Sequence, residues 1–209
     1  VISSSLNKTL PLEDFKFPAI KLNNVVLPEP LGPIIPVIEP FLIFKEQSDT
    51  AASPPKNLEI FIPLAKEIKK RGLSYKIIIT IDESQHRKVK PFLSLIKDCG
   101  LDDIIINIGP VEVKNAPSLY KQCDGLLMPS LIETYCNPYV ESMYHKRLIL
   151  TSDMDFSREV CGDAAIYFNP LNHLSMLEAI ETAYSNDILR EEKIRQGSMK
   201  IEKLHSWNA

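Results

Sequence analysis

From Phe41 onward the chain repeats one pattern: a short, continuous apolar run, then a longer stretch in which apolar residues recur at helical spacing. The runs are FLIF (Phe41 to Phe44), KIIITI (Lys76 to Ile81), DIIIN (Asp103 to Asn107), GLLM (Gly125 to Met128), RLILT (Arg147 to Thr151) and AIYF (Ala165 to Phe168). A strand with one face in water alternates apolar and polar residues. These runs do not alternate, so both of their faces need cover. Between them the spacing predicts a helix from about Asn57 to Arg71, stopped by Gly72, and another near Gln85 to Lys97, closed by Gly100. Further helices are predicted over Ala116 to Gln122, Pro138 to about His145, near Phe156, and from about Leu174 almost to the end. Strands buried on both faces and alternating with helices imply an α/β fold, a doubly wound parallel sheet of about six strands.

Residues 1–40 break the pattern. The stretch LPEPLGPIIPVIEP (Leu27 to Pro40) has neither helical nor strand periodicity and reads as an extended leader or linker. The expected organisation is therefore a leader at 1–40, a ligand-binding domain at 41–186 and a C-terminal helix at 187–209. With 209 residues the chain has room for one such domain and not two.

Composition narrows the function classes. A net charge of -3 argues against a general nucleic-acid binder, which presents a basic field to phosphates, so an anionic ligand has to be held by a local site. No apolar run approaches the roughly 20 residues of a membrane span, and no signal-peptide pattern opens the chain. Cys99, Cys123, Cys136 and Cys161 show no CxxC pair and no histidine at metal-ligand spacing, which predicts reduced thiols, no metal site and a cytoplasmic setting.

In a parallel sheet of this kind ligands bind beyond the carboxyl ends of the strands, so the loops after each run carry the chemistry. The richest is PSLIETYCNPYVE (Pro129 to Glu141). Asn137 and Pro138 suit a helix start, with the asparagine as cap and proline in the first turn, and such an end offers N–H donors to an anion such as a diphosphate. Glu133 in the loop and Glu141 in the helix can accept hydrogen bonds from vicinal hydroxyls of a sugar and a ribose. Taken alone, the same pair also fits a solvated loop charge and an exposed helix residue.

The order GLLMPSLIETYCNPYVESM, followed by RLILTSDMDFSREVCGDAAIYFNPLN, resembles the carboxy-terminal domain of the retaining, GT-B-fold glycosyltransferases called glycosyltransferase group 1 or family 4. The shared element is Pro-Ser, then two glutamates separated by seven residues, a Ser-Asp loop, a short R-E-V helix and a G-D-A strand. The resemblance runs from about Phe41 to about Asn186 and implies a Rossmann-like nucleotide-sugar domain, the carboxy-terminal half of a GT-B fold.

By this resemblance Glu133 contacts hydroxyls of the donor sugar and Glu141 binds the ribose. Thr134, Tyr135, Cys136 and Asn137 occupy the stretch whose main chain approaches sugar and diphosphate, with Thr134 and Cys136 standing where the family has glycines. Lys56, in SPPKNLE, matches a lysine expected to stabilise the departing diphosphate, and Val111 matches a loop where main chain touches the base. Lys56 and Glu133 are the catalytic candidates. Packing is the competing reading for Val111, and for Cys136 the alternatives are a reactive thiol or a small buried side chain.

The implied activity is transfer of a sugar from a nucleoside-diphosphate sugar, the donor substrate, to an acceptor hydroxyl with retention of configuration. No cofactor is implied beyond the donor. The acceptor, a glycan or lipid-linked sugar in polysaccharide biosynthesis, is expected to bind an amino-terminal domain that these residues do not supply, in the cytoplasm or at the cytoplasmic face of a membrane. The alternatives are a non-catalytic nucleotide-sugar-binding module and a truncated, inactive gene product.

Overall fold

A computed structural model describes residues 56–84, 87–133 and 136–206, together with the backbone of short strands at 21–22, 25–26 and 41–44. Within residues 1–40, β1 (Lys21–Leu22) and β2 (Val25–Val26) pair antiparallel. The domain then runs β3 (Phe41–Phe44), α1 (Phe61–Arg71), β4 (Lys76–Ile79), α2 (Val89–Asp98), β5 (Ile105–Asn107), α3 (Ala116–Gln122) and β6 (Gly125–Met128). It continues through α4 (Asn137–Tyr144), β7 (Leu148–Ser152), α5 (Asp155–Cys161), β8 (Ala165–Phe168), α6 (His173–Ser185) and α7 (Asp187–Ser206).

The six strands β3 to β8 form one sheet in the order β5-β4-β3-β6-β7-β8, and every pairing is parallel. The doubly wound parallel sheet expected from the apolar runs is therefore present. Ile77, Ile78 and Ile79 of β4 are each 0% exposed, and all residues of β6 and β7 are buried, as unalternating runs require. The winding reverses between β3 and β6, which places a crevice beyond their carboxyl ends.

Helix ends follow local chemistry. α1 buries Phe61, Ile62, Leu64, Ala65 and Ile68 on one face and ends in Lys69, Lys70 and Arg71, cations that suit the negative end of the helix dipole. Gly72 closes it at φ 64, a left-handed conformation that costs glycine little. The helical sequence expected from Leu174 onward divides in two. Asn186 leaves helical geometry (φ -129, ψ 88), and its side-chain oxygen accepts from the N–H of Leu189 at 3.0 Å, ending α6 and starting α7.

α7 lies against α4, β7 and β8. Gly197 makes the close approach possible, because a Cβ there would sit 3.1 Å from Met143 Cγ and 3.7 Å from Ala164 Cβ. Two effects oppose each other at this position. Alanine gains about 1 kcal/mol in helix propensity, while overpacking typically costs about 1–3 kcal/mol. Gly197→Ala is therefore expected to lower the unfolding free energy read by urea denaturation by only about 0–2 kcal/mol. Gly197→Leu should lower stability by about 1–3 kcal/mol. A Gly197→Leu variant as stable as the parent would show that α7 does not pack here.

Candidate functional site

The crevice between β3 and β6 collects residues from three loops. Lys56 follows β3 and opens the 3-10 turn Leu58–Ile60 that leads into α1; Glu133 lies in the loop after β6. Across this switch the Lys56 ammonium donates to both carboxylate oxygens of Glu133, at 2.8 Å to Oε1 and 3.0 Å to Oε2. The two side chains are only 15% and 9% exposed, so the pair is largely withdrawn from water. Removing either partner would strand a charge at low effective dielectric, whereas a ligand bringing both an anion and hydroxyl donors can replace both partners together.

Next to Lys56, Asn57 ties the surrounding loops together, a role with no sequence signature beyond the tolerance of asparagine for left-handed backbone. It sits at φ 57, ψ 34, ahead of the 3-10 turn. Its side-chain amide donates to Pro129 O at 3.2 Å and to Pro170 O at 2.6 Å, tying the loop after β3 to those after β6 and β8. Both proline residues are buried, so these carbonyls depend on Asn57 rather than on solvent.

α4 carries the second carboxylate. The helix begins one residue earlier than its sequence suggests: Asn137 is already helical, Cys136 is the capping position, and the cap is backbone only, with Cys136 O accepting from Tyr139 N–H at 3.1 Å. Asn137 is thus not the capping side chain. Proline still stands in the first turn, where its missing N–H costs nothing. The helix is fixed to the sheet by Tyr139, 0% exposed, whose hydroxyl lies 2.6 Å from Thr151 Oγ1. Glu141, one turn in and half-buried, accepts a hydrogen bond at 2.8 Å from the hydroxyl of Tyr120 in α3.

Cys136 is buried, and burial, with the Glu133 carboxylate as the next cause, pushes its thiol far above the usual range. That resolves its two readings toward packing, since a reactive cysteine needs an accessible thiolate. Val111 is half-buried and packs on the core. Its loop is pinned by Asn107, whose side-chain oxygen accepts from Ile81 N–H at 3.3 Å and Gly109 N–H at 3.2 Å, and whose amide donates to Ile81 O at 3.1 Å. Thr134 and Tyr135 lie outside the described residues.

Arg158 of α5 pairs with Asp153 and lies 4.5 Å over the Tyr167 ring. The guanidinium holds the Asp153 carboxyl below its ordinary value, but both side chains are exposed and the pair fastens the surface. Among the described residues no group of three His, Cys, Asp or Glu side chains is placed to hold a metal ion, and no helix is long and apolar enough to cross a membrane.

Known proteins resemble this chain over most of the described domain. Residues 50–199 match the model described as glycosyl transferases group 1. The O-antigen chain mannosyltransferase RfbU of Salmonella typhimurium is 28% identical over 131 residues, which cover 63% of this chain and 36% of RfbU. The chain thus spans about a third of that relative's length. Among solved structures, sucrose-phosphate synthase from Thermosynechococcus elongatus superposes with a TM-score of 0.68 at 13% identity, over 81% of this chain and 42% of the synthase. The C-terminal domain of the group 1 family protein LpcC from Francisella tularensis gives a TM-score of 0.62 at 19% identity and is itself covered to 85%, against 79% of this chain. At these identities the structural likeness shows the fold alone, that of the GT-B glycosyltransferases.

Asn57 generates a test with two substitutions. Asn57→Gly keeps the left-handed backbone and removes only the two amide hydrogen bonds, at a cost of about 1–3 kcal/mol for the buried carbonyls left behind. Asn57→Ala adds about 1 kcal/mol of left-handed strain. Denaturant midpoints should therefore fall in the order parent, glycine, alanine. Glycine at parental stability would mean that the clamp contributes nothing.

Proposed function

The chain belongs to the glycosyl transferases group 1 family, and from that premise we propose that residues 41–206 form the donor half of a sugar transferase. Its donor is a nucleoside-diphosphate sugar, a hexose by analogy with the mannosyltransferase relative, and the sugar passes to an acceptor hydroxyl with retention of configuration. The observation that carries this reading is the Lys56–Glu133 pair at the β3/β6 switch, with Glu141 on the adjoining helix.

Binding is an exchange of partners. The diphosphate takes the Lys56 ammonium from Glu133, and the released carboxylate accepts from hydroxyls of the donor sugar. Glu141 accepts from the ribose, the main chain around Cys136 and Asn137 lies along sugar and diphosphate, and the loop at Val111 lies against the base. As the bond from sugar to diphosphate breaks, negative charge grows on the leaving phosphate oxygen, and an ammonium already in place stabilises that charge without reorganisation. The proposal includes no resident metal or other cofactor.

The acceptor, a glycan or lipid-linked sugar, is bound by a part of the enzyme outside residues 41–206. The O-antigen name of the relative RfbU supports polysaccharide assembly as the setting, and the proposal sets it in the cytoplasm or at the cytoplasmic face of a membrane.

The exchange predicts effects of opposite sign, read by calorimetric titration with UDP, GDP and ADP. Lys56→Ala should weaken the diphosphate that binds by about 1–3 kcal/mol, and added salt should narrow the difference. Glu133→Gln removes a competitor for the ammonium and a like charge beside the diphosphate, so free nucleoside diphosphate should bind roughly two- to tenfold tighter. Unchanged affinity in both variants would move the diphosphate out of this crevice.

A further expectation concerns turnover. Holding donor and acceptor in reacting geometry can be worth about 7–11 kcal/mol of barrier. Residues 41–206 alone are therefore expected to bind nucleotide and at most hydrolyse the donor slowly. Incubation with nucleotide sugars and acceptors, with and without a separately expressed acceptor-binding domain, checks this; full transfer by the donor half alone would refute it.

A further inference from the structure

Tyr120 lies in α3, between Lys56 and Glu133 in sequence, and by its apolar surroundings it is an ordinary core residue. Its backbone and ring are 0% exposed. Yet its hydroxyl is not left to the core: it donates to Glu141 Oε2 at 2.8 Å. The ring is itself fixed, stacked on His145 with centroids 5.3 Å apart and planes 19° from parallel. His145 and Glu141 share the last turn of α4, where His145 N–H donates to Glu141 O at 2.9 Å. The phenol thus reaches across from α3 to one end of a rigid turn and holds the carboxylate at that turn's other end.

A glutamate on a helix surface has three rotatable side-chain bonds and ordinarily samples many of their combinations. Burial, and then the Glu141 carboxylate, push the Tyr120 hydroxyl well above the usual phenol range, so it remains a donor at every working pH. A carboxylate offers roughly four lone-pair positions, so one donated phenol hydrogen orients it without exhausting its capacity.

Resting on the reading of Glu141 as the ribose acceptor, we infer that Tyr120 is a positioning residue that presets the Glu141 carboxylate and thereby sets how strongly the site prefers a ribose diol over a deoxygenated sugar ring. The ligand class is a ribonucleoside diphosphate. Tyr120 never touches it, and its effect passes entirely through the orientation of Glu141.

The test uses the whole chain and the nucleoside diphosphate, among UDP, GDP and ADP, that binds most tightly, compared with its 2′,3′-dideoxy counterpart. The quantity read is the ratio of the two dissociation constants within each protein. Because both are measured on the same sample, a lowered folded fraction cancels. The parent should prefer the ribonucleotide by roughly tenfold or more, as for a hydrogen bond to a charged group. Tyr120→Phe keeps the ring and its stacking on His145 and removes only the hydroxyl. It should lower the preference roughly three- to tenfold while dideoxynucleotide affinity stays at the parental value. A merely structural role would weaken both ligands alike and leave the ratio unmoved. Glu141→Gln, in the same assay, should bring the ratio close to one. If Glu141→Gln keeps the parental ratio, the ribose assignment itself is wrong. If Glu141→Gln loses the preference and Tyr120→Phe retains it, the assignment stands and the role of Tyr120 is overturned.

Discussion

Every strand of the six-stranded sheet points the same way, so each crossover must return the chain to the same starting edge, and all the loops that follow strands gather at the other. Because the order is β5-β4-β3-β6-β7-β8, the crossovers leaving β3 and β6 pack in opposite directions, and a crevice opens between their ends. Lys56 and Glu133 stand 77 positions apart, yet one follows β3 and the other follows β6, and the sheet brings them within 2.8 Å. The pairing is a consequence of topology first and of attraction second.

Attraction decides what that crevice can receive. The chain carries a net charge of -3, so no overall field draws in an anion; the work falls to an ammonium that is 15% exposed and already satisfied by a carboxylate. A simple anion would have to strip Lys56 from Glu133 and leave that carboxylate behind, largely buried. On the proposed function, a ligand that couples a diphosphate to a hydroxyl-rich sugar satisfies both groups, which would give the pair a preference for the two chemistries joined in one molecule. Selectivity of this kind arises from the cost of leaving a partner stranded rather than from an extra contact.

Much of this was legible in the sequence, and the boundary of legibility has physical causes. Unalternating apolar runs announced strands covered on both faces, and Ile77 to Ile79 and Leu126 to Leu127 are indeed buried completely. Glu133 and Glu141 stood out as carboxylates in the loop and helix after GLLM, and Lys56 was singled out only through the family resemblance. That Lys56 meets Glu133 was not, since a contact across 77 positions has no local signature. Asn57 escaped for a related reason: asparagine near a helix start reads as a cap, whereas its amide reaches two prolines in other loops. Tyr120 is 0% exposed, but burial says nothing of where a hydroxyl points. Asn137 was assigned the capping role that falls to the Cys136 backbone, a shift of one residue, the usual uncertainty of helix ends.

Position 136 shows how a departure from a family pattern can be absorbed. A glycine is needed where the backbone turns left-handed or where a side chain would block a ligand. Cys136 adopts φ -109, ψ 91, ordinary extended backbone open to any residue, so the first requirement is absent. The second is met differently: the side chain is 3% exposed, packed with the core cluster that includes Tyr139 and Cys161, and therefore turned away from the loop's open side. At Cys136 the atoms that glycine would have omitted are spent on the interior. A small thiol fits that interior. A larger or charged side chain at the same place would have to leave it and would then stand at the start of α4.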